Sequence, residues 1–484
     1  MTDPDEDRST ANLRPQGASV PPEGAWPRRV STLDDLAEEG HGALLEPGDP
    51  GYDEARAVWN ARIDREPAAV LRCAGAADVI AGITVARESG LALSVKGGGH
   101  HVSGSAVVEG GLVLDCGPMD WVRVDPETRT ARVGPGATWG DVDAETQAFG
   151  LAVPGGQDPN IGVPGLTLGG GVGWLGPAFG LTCDNLRAAD VVTADGRLVH
   201  ASAEAQADLF WALRGGGGTV GVVTEFEFDL HEVGPEIYAG SLMFPFEEFH
   251  EVARSYREFL AEAPPEVRLL SGTMVLPDSS YYPEAIQGAR VAMLMGFYPG
   301  PASEAAPIFE PLRERAEPVL DSLGERRYRD WQQAGTSQGR MRTDLRSQYL
   351  RGLSDGVLET ILEHARAAPS AGATVFLSTA RGAEIEPPVD ATAYSHREKV
   401  HHVLVEARWE DPARDDEHVE WVRAFNEALA PFTTGEAALN FLTADEVDDR
   451  RRAAFGENYE RLRSIEDEWD PEGLFRARGG NLDD

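Results

Sequence analysis

The sequence predicts an α+β fold in two domains, and three observations carry that expectation. At 484 residues the chain is too long for one ordinary core. Its first half interleaves short strands, hairpins and glycine-rich loops. From about Tyr238, strands and striped helices follow in an order that suits an antiparallel sheet covered on one side by helices.

Taken in order, AAVLRC from Ala68 is an apolar strand, and GAADVIAGITVARESG is a helix with Val79, Ile80, Ile83 and Val85 on its apolar side. Gly90 stops that helix, and LALSV is the next strand. GLVLDC and the hairpin VRVDPETRTARVG follow, with Pro126 near the turn. Thr138 can cap a helix running through Phe149. Pro154 to Gly180 holds too many glycines for a helix interior or a central strand. RAADVVTADGRLVHAS is a strand pair turning at Asp195-Gly196. DLFWALRGGGG ends a short helix, and TVGVVTEFEF is a β-branched strand. In the second half, Phe249, Val252, Ala253, Tyr256, Phe259 and Leu260 form one helical stripe. RVAMLMGFY and HHVLVEARW are strands there, and EHVEWVRAFNEAL is a helix.

Composition narrows the function. A net charge of −38, from 81 acids against 43 bases, argues against a nucleic-acid partner. Acid spread along the whole chain suits a solvated surface adapted to high salt better than one that repels anionic partners. No apolar run approaches the ~20 residues of a membrane span, so no membrane partner is expected. The start, MTDPDEDRST, lacks the basic and apolar regions of a secretory signal. A cytoplasmic protein is therefore expected, with residues 1–28 acidic, proline-bearing and disordered. Cys73, Cys116 and Cys183 show no CxxC spacing and fit reduced thiols.

Four glycine clusters are the main functional signal: Lys96-Gly97-Gly98-Gly99-His100, Gly155-Gly156, Gly165 through Gly173, and Gly215 through Gly218. Glycine lets backbone approach a ligand, and consecutive N–H groups make an anion-binding nest. Four such loops at strand ends predict a long, phosphate-bearing cofactor wrapped by backbone, with flexible loops and no ligand as the alternative. No G-x-x-x-x-G-K-[ST] occurs. GLTLGGG is not G-x-G-x-x-G, and the surrounding strands look hairpin-connected rather than regularly βαβ. His100 and His101, adjacent on an extended strand, would face opposite sides, so no metal site is expected. An imidazole directly after three glycines can touch a ring system.

SVKGGGHHVSG resembles the [RK]-[SG]-G-G-H segment of flavin-linked oxidases of the vanillyl-alcohol oxidase, PCMH-type superfamily, in particular the berberine-bridge-enzyme-like branch. GVPGLTLGGGVGWLGPAFGLTCDNLRAADVVTADG, DLFWALRGGGGTVGVVTEFEF, NF and DPEGLF agree in order, over roughly residues 60 to 480. Bacterial hydroxynicotine oxidases are similar along this stretch. The resemblance implies a PCMH-type FAD-binding domain over 60–232, a substrate domain over 237–435, and a segment 436–484 returning to the first domain. It implies FAD bonded through its 8α-methyl to His100, beside the variable His101. It places the cofactor against Lys96, Gly97, Gly98, Gly99, Ser103, Gly104, Pro154, Gly155, Gly156, Gly165, Leu166, Thr167, Gly169, Gly170, Gly171, Gly173, Trp174, Asp184, Asn185, Gly221, Val222, Asn440 and Asn481.

The sequence also departs from the family. Asp158 stands where some members carry a second, cysteinyl flavin bond, so a single covalent link is expected. Ile161 stands where an aliphatic side chain governs oxygen access, and its bulk puts oxygen as acceptor in doubt. Ala438 replaces a common active-site tyrosine, and the family's base falls at Leu404, which cannot serve. On Val400–Trp409, alternation puts His402, Leu404 and Glu406 on one face and Val403, Val405 and Ala407 on the other. Glu406 or His402 could act as base, with Tyr349 and Tyr394 as further candidates. A solvent-facing edge strand and core aromatics are the competing readings, and His396-Arg397 reads as structural. The expected function is FAD-dependent hydride removal from a small alcohol, amine or sugar, with oxygen or another acceptor reoxidising the flavin. The alternatives are a dehydrogenase serving a quinone or protein acceptor, and a flavin-bound binder without turnover.

Overall fold

The computed structural model describes residues 31–39, 42–278, 282–315, 317–335, 339–398 and 401–475. The expectations for residues 1–28, Val400 and Asn481 lie outside the described residues.

Strands β1 (Ala43–Leu45), β2 (Ala69–Arg72), β3 (Leu93–Lys96) and β4 (Leu112–Asp115) form one sheet in the order β1-β2-β4-β3. Both β2 and β3 run parallel to β4, and helix Ala76–Ser89 crosses between them. The hairpin expectation is corrected here, because parallel strands need a crossover element. That helix closes on the sheet through Val79, Ile83 and Val85 against Leu71 and Leu114. Gly82 permits the approach, since a Cβ there would lie 2.4 Å from Leu114 Cδ2.

A second sheet is antiparallel throughout. It contains β5 (Val122–Asp125) and β6 (Thr130–Val133), while β7 (Leu151–Ala152) lies outside it. With β8 (Leu186–Val192), β9 (Leu198–Ser202) and β10 (Val222–Asp229) its order is β5-β6-β10-β8-β9. The short β7 pairs with β11 (His231–Glu232). Thr138 caps helix Trp139–Thr146 in a reciprocal box with Asp141, and a 3-10 turn extends it to Phe149. The glycine-rich stretch, expected to hold no helix, contains two short ones, Val163–Leu168 and Gly176–Phe179. Pro164 and Pro177 sit in their first turns, where a fixed φ favours helix entry at no cost in hydrogen bonds.

The second domain holds an eight-stranded sheet. Its strands are β12 (Glu236–Pro245), β13 (Arg268–Val275), β14 (Arg290–Tyr298), β15 (Leu320–Asp321), β16 (Gly324–Arg327), β17 (Arg342–Leu350), β18 (Ala373–Thr379) and β19 (His401–Trp409). They run in the order β15-β12-β14-β13-β18-β19-β17, with β16 also on β12. Helices Phe249–Glu262, Asp355–Arg366 and Asp415–Leu429 bring Tyr256, Ile361 and Phe425 onto one face, against Leu294, Val375, Val403 and Val405. The other face turns toward the first domain. Beyond it, helices Val447–Phe455 and Tyr459–Trp469 place Phe455, Leu462 and Ile465 in the first-domain core with Trp211 and Phe226.

Candidate active site

A cavity of about 1040 Å³ separates the glycine loops of the first domain from the open face of the second-domain sheet. Clefts of this size between domains are the usual place for a large ligand. Its first-domain wall is rich in glycine: Gly97, Gly98, Gly99, Gly162, Gly165, Gly169, Gly171, Gly216, Gly217 and Gly218. Two loops meet so closely that a Cβ on Gly98 would lie 2.6 Å from Gly162 N. Gly99, Gly171 and Gly217 have φ of +62°, +84° and +82°, which a side chain would resist. Main chain can therefore reach a ligand at these loops, and that suits cradling a nucleotide by its phosphates.

His100 ends this cradle. Its ring stacks on Trp59 at 4.6 Å between centroids and 20° between planes. Its Nε2 is buried without a hydrogen-bond partner, and Asp158 Oδ2 lies 3.7 Å away. Burial, only partly offset by Asp158, lowers the His100 pKa and keeps the ring neutral. The His100 residue lines the cavity, and a neutral imidazole there can serve as a nucleophile toward a bound ligand. His101 behaves differently. Its Nδ1 is 2.8 Å from Ser103 Oγ and its Nε2 is 3.2 Å from the Leu439 carbonyl, tying the loop to the C-terminal segment. The strand stops at Lys96, so the two histidines are separated by partners in a loop and not by strand alternation. Among the described residues, no group of three or more His, Cys, Asp or Glu could hold a metal ion.

Of the residues expected against the cofactor, Gly97, Gly98, Gly99, His100, His101, Ser103, Gly165, Leu166, Gly169, Gly171, Trp174, Gly221, Val222 and Asn440 lie on the wall. Asn440 rests on Gly169, where a Cβ would overlap its amide. The others are committed elsewhere. Lys96 points out of the cavity and donates from Nζ to the Ala55 carbonyl at 2.6 Å. Gly104 accepts from Arg65, and Gly155, beside Pro154, packs against the Trp139 ring. Gly156 accepts from Gln332, and the Thr167 hydroxyl donates to Val163 in its own helix. Gly170 packs on Tyr394, and Gly173 accepts from Arg268. Asp184 takes both Nη groups of Arg397 at 2.7 and 2.6 Å. Asn185 donates to Phe179 and Leu181. These residues shape the loops from behind.

The sheet wall shows the alternation read from the sequence. His402, Leu404 and Glu406 line the cavity while Val403, Val405 and Ala407 enter the helix-side core. The edge-strand alternative is excluded, because β19 lies between β18 and β17. His402 Nε2 is 2.9 Å from Ser347 Oγ on β17, and burial pushes its pKa down to about 4. Tyr349 pairs with His402 in register, and its hydroxyl is 3.3 Å from that of Tyr394. Burial raises both phenols, Tyr394 to about 12, so each remains protonated and able to donate. Tyr349, Tyr394 and Ala438 all line the cavity. Glu406 is held by Arg408 Nε at 2.8 Å, and Arg408 lies over the Trp59 ring at 5.2 Å. His396 Nε2 meets the Ala437 carbonyl at 2.9 Å while its ring lies on the cavity beside Tyr349, and Arg397 clamps Asp184.

Trp59, Gly162 and Ser347 escaped the sequence reading. Trp59 sits before the first recognisable strand, and Ser347 is paired with His402 only by sheet register.

The sequence pattern described as FAD binding domain matches residues 67–202, and that described as berberine and berberine like matches residues 437–480. An uncharacterized FAD-linked oxidoreductase of Bacillus subtilis is 28% identical over 90% of this chain and 95% of its own. (R)-6-hydroxynicotine oxidase of Paenarthrobacter nicotinovorans is 40% identical over 41% of this chain and 43% of its own. The crystal structure of 6-hydroxy-D-nicotine oxidase from Arthrobacter nicotinovorans superposes with a TM-score of 0.81 at 29% identity, covering 95% of this chain and 99% of that one.

Proposed function

We propose that this chain is an FAD-linked oxidoreductase of the berberine-like branch, and that it removes hydride from a small organic substrate bound between His100 and the β17–β19 face. The observation that carries this reading is the neutral imidazole of His100 at the head of a glycine-rich cradle that shares one cavity with His402 and Tyr349. FAD, when bound, supplies the two-electron acceptor. Gly97 to Gly99, Gly165 and Gly169 would hold it through backbone, Asn440 would contact it by side chain, and His100 would carry its single covalent bond. With Asp158 at the alternative position, no thiol is available there for a second bond.

On the substrate side, Tyr349 and Tyr394 donate hydrogen bonds and fix the reacting hydroxyl or amine. His402 is neutral at physiological pH. In the tautomer whose Nε2–H donates to Ser347 Oγ, Nδ1 is the nitrogen left to accept the substrate proton. The Glu406 carboxylate is committed to Arg408, whose guanidinium braces Trp59 and through it the His100 ring. Ile161 lines the cavity and favours a dehydrogenase that serves an acceptor other than oxygen; rapid reoxidation in air would exclude that second reading. We read the acidic surface as belonging to a protein of a salt-rich cytoplasm.

The test is direct. Denatured protein should retain in-gel flavin fluorescence, and His100→Ala should lose it. Acid-stable flavin in the variant would refute the assignment.

A further inference from the structure

Four of the chain's seven methionines line this cavity: Met243, Met274, Met293 and Met295. They come from three strands, and register assembles them. Met243 pairs with Met293, Met293 with Gly272, Gly272 with Phe376, and Phe376 with Leu404. In the neighbouring row Met295 pairs with Leu270. With strands about 4.8 Å apart, the row from Met243 to Phe376 gives an apolar platform about 14 Å long. Gly272 leaves a dip in its middle. Ser241 and Thr374 flank the row, and the ionisable polar groups gather at one end, where His402 pairs with both Tyr349 and Ser378.

Three arginines on the wall are already matched. Arg268 is paired with Glu384, Arg408 with Glu406, and Arg451 with Glu466. An oligosaccharide would set most of its hydroxyls against the platform, with only Ser241 and Thr374 beside it to replace their water. A cationic amine would need a carboxylate; Glu384 and Glu406 are taken, and Asp158 belongs to the first-domain loops beside His100, not to the platform. Thioethers are polarizable, adapt their shape and contact aromatic ring edges favourably.

We propose that the substrate is a neutral alcohol on a flat aromatic body of two or three fused rings, with the rings on the Met243–Met293–Phe376 platform and the hydroxyl at His402 and Tyr349. This rests on the FAD reading above.

The flavin-loaded protein is titrated without oxygen with 2-naphthalenemethanol, benzyl alcohol, benzylamine and cellobiose, following shift and bleaching of the visible flavin band. 2-Naphthalenemethanol should bind about tenfold tighter than benzyl alcohol, from its added ring area. Met243→Gln and Met293→Gln should each weaken it several-fold to about tenfold, and Met293→Leu, which keeps an apolar surface, by about twofold at most. Cellobiose or benzylamine bleaching the flavin with a higher kcat/KM than either aromatic alcohol would overturn the proposal. So would a band that neither aromatic alcohol shifts or bleaches. Dithionite added last separates the failures. A bound flavin that dithionite bleaches but aromatic alcohols leave untouched removes only the substrate assignment; protein carrying no flavin removes the FAD reading beneath it.

Discussion

Replacing Asp143 with asparagine should stabilise the protein at pH 8 and do much less at pH 5. Asp143 lies in helix Trp139–Thr146, buried at 2% exposure. Its Oδ2 accepts from Gln332 Nε2 at 3.1 Å, and Gln332 comes from the second-domain helix Tyr328–Ala334. The same amide reaches the Gly156 carbonyl at 3.0 Å, while Gln332 Oε1 has no partner. Loss of water raises the Asp143 pKa from 3.8 to about 7, against the weaker opposing pull of Gln332 and Arg329. Below pH 3.8 both folded and unfolded chains hold the proton, so the group costs nothing. Between 3.8 and about 7 only the unfolded chain ionises, and stability falls as pH rises. Above about 7 the full penalty is present, roughly three pH decades or ~4 kcal/mol as an upper figure. Asparagine keeps the shape and cannot ionise, and its amide can donate to the orphaned Gln332 oxygen. Urea unfolding at fixed KCl should show the variant ahead by ~2–4 kcal/mol at pH 8, a midpoint shift of about 1 M, narrowing to ~1–2 kcal/mol at pH 5. A gap of the same size at both pH values, or a variant weaker at pH 8, would refute the reasoning.

Three further outcomes follow from the same geometry. His402→Asn should slow substrate-driven flavin bleaching by about 10²-fold or more, and the wild-type rate should fall only as pH drops through about 4, where the imidazole gains a proton; an unchanged rate in the variant would remove His402 as base. Arg268→Met leaves Glu384 buried and unpaired, so it should cost ~3–5 kcal/mol and about 10 °C of melting temperature, with Glu384→Gln in the same chain restoring much of it. Melting temperature should climb with KCl toward molar concentrations, because a surface behind a charge of −38 repels itself less as the screening length shrinks to about 3 Å; a flat or falling trend would end the high-salt reading.

The sequence by itself determined what rests on near neighbours in the chain. Val79, Ile83 and Val85 mark a helix, Thr138 with Asp141 marks a cap, and alternation along His401–Trp409 sorts His402, Leu404 and Glu406 from Val403, Val405 and Ala407. The run of glycines before His100 marked backbone that must come close to a ligand. These signals are local, fixed by the 3.6 and 2.0 periods and by allowed φ, and they are legible without partners. β17 was less legible, because Asp344, Arg346 and Gln348 are polar residues buried within it and blur the apolar alternation. Only the tertiary structure decided the contacts between distant segments. It set Trp59 on His100, aimed Lys96 away from the cavity, and turned Asp184 and Asn185 into supports for loops. It brought Ser347 to His402 and collected four methionines from three strands onto one platform. Strand register and domain docking are global compromises of burial and hydrogen bonding, so no window of sequence contains them.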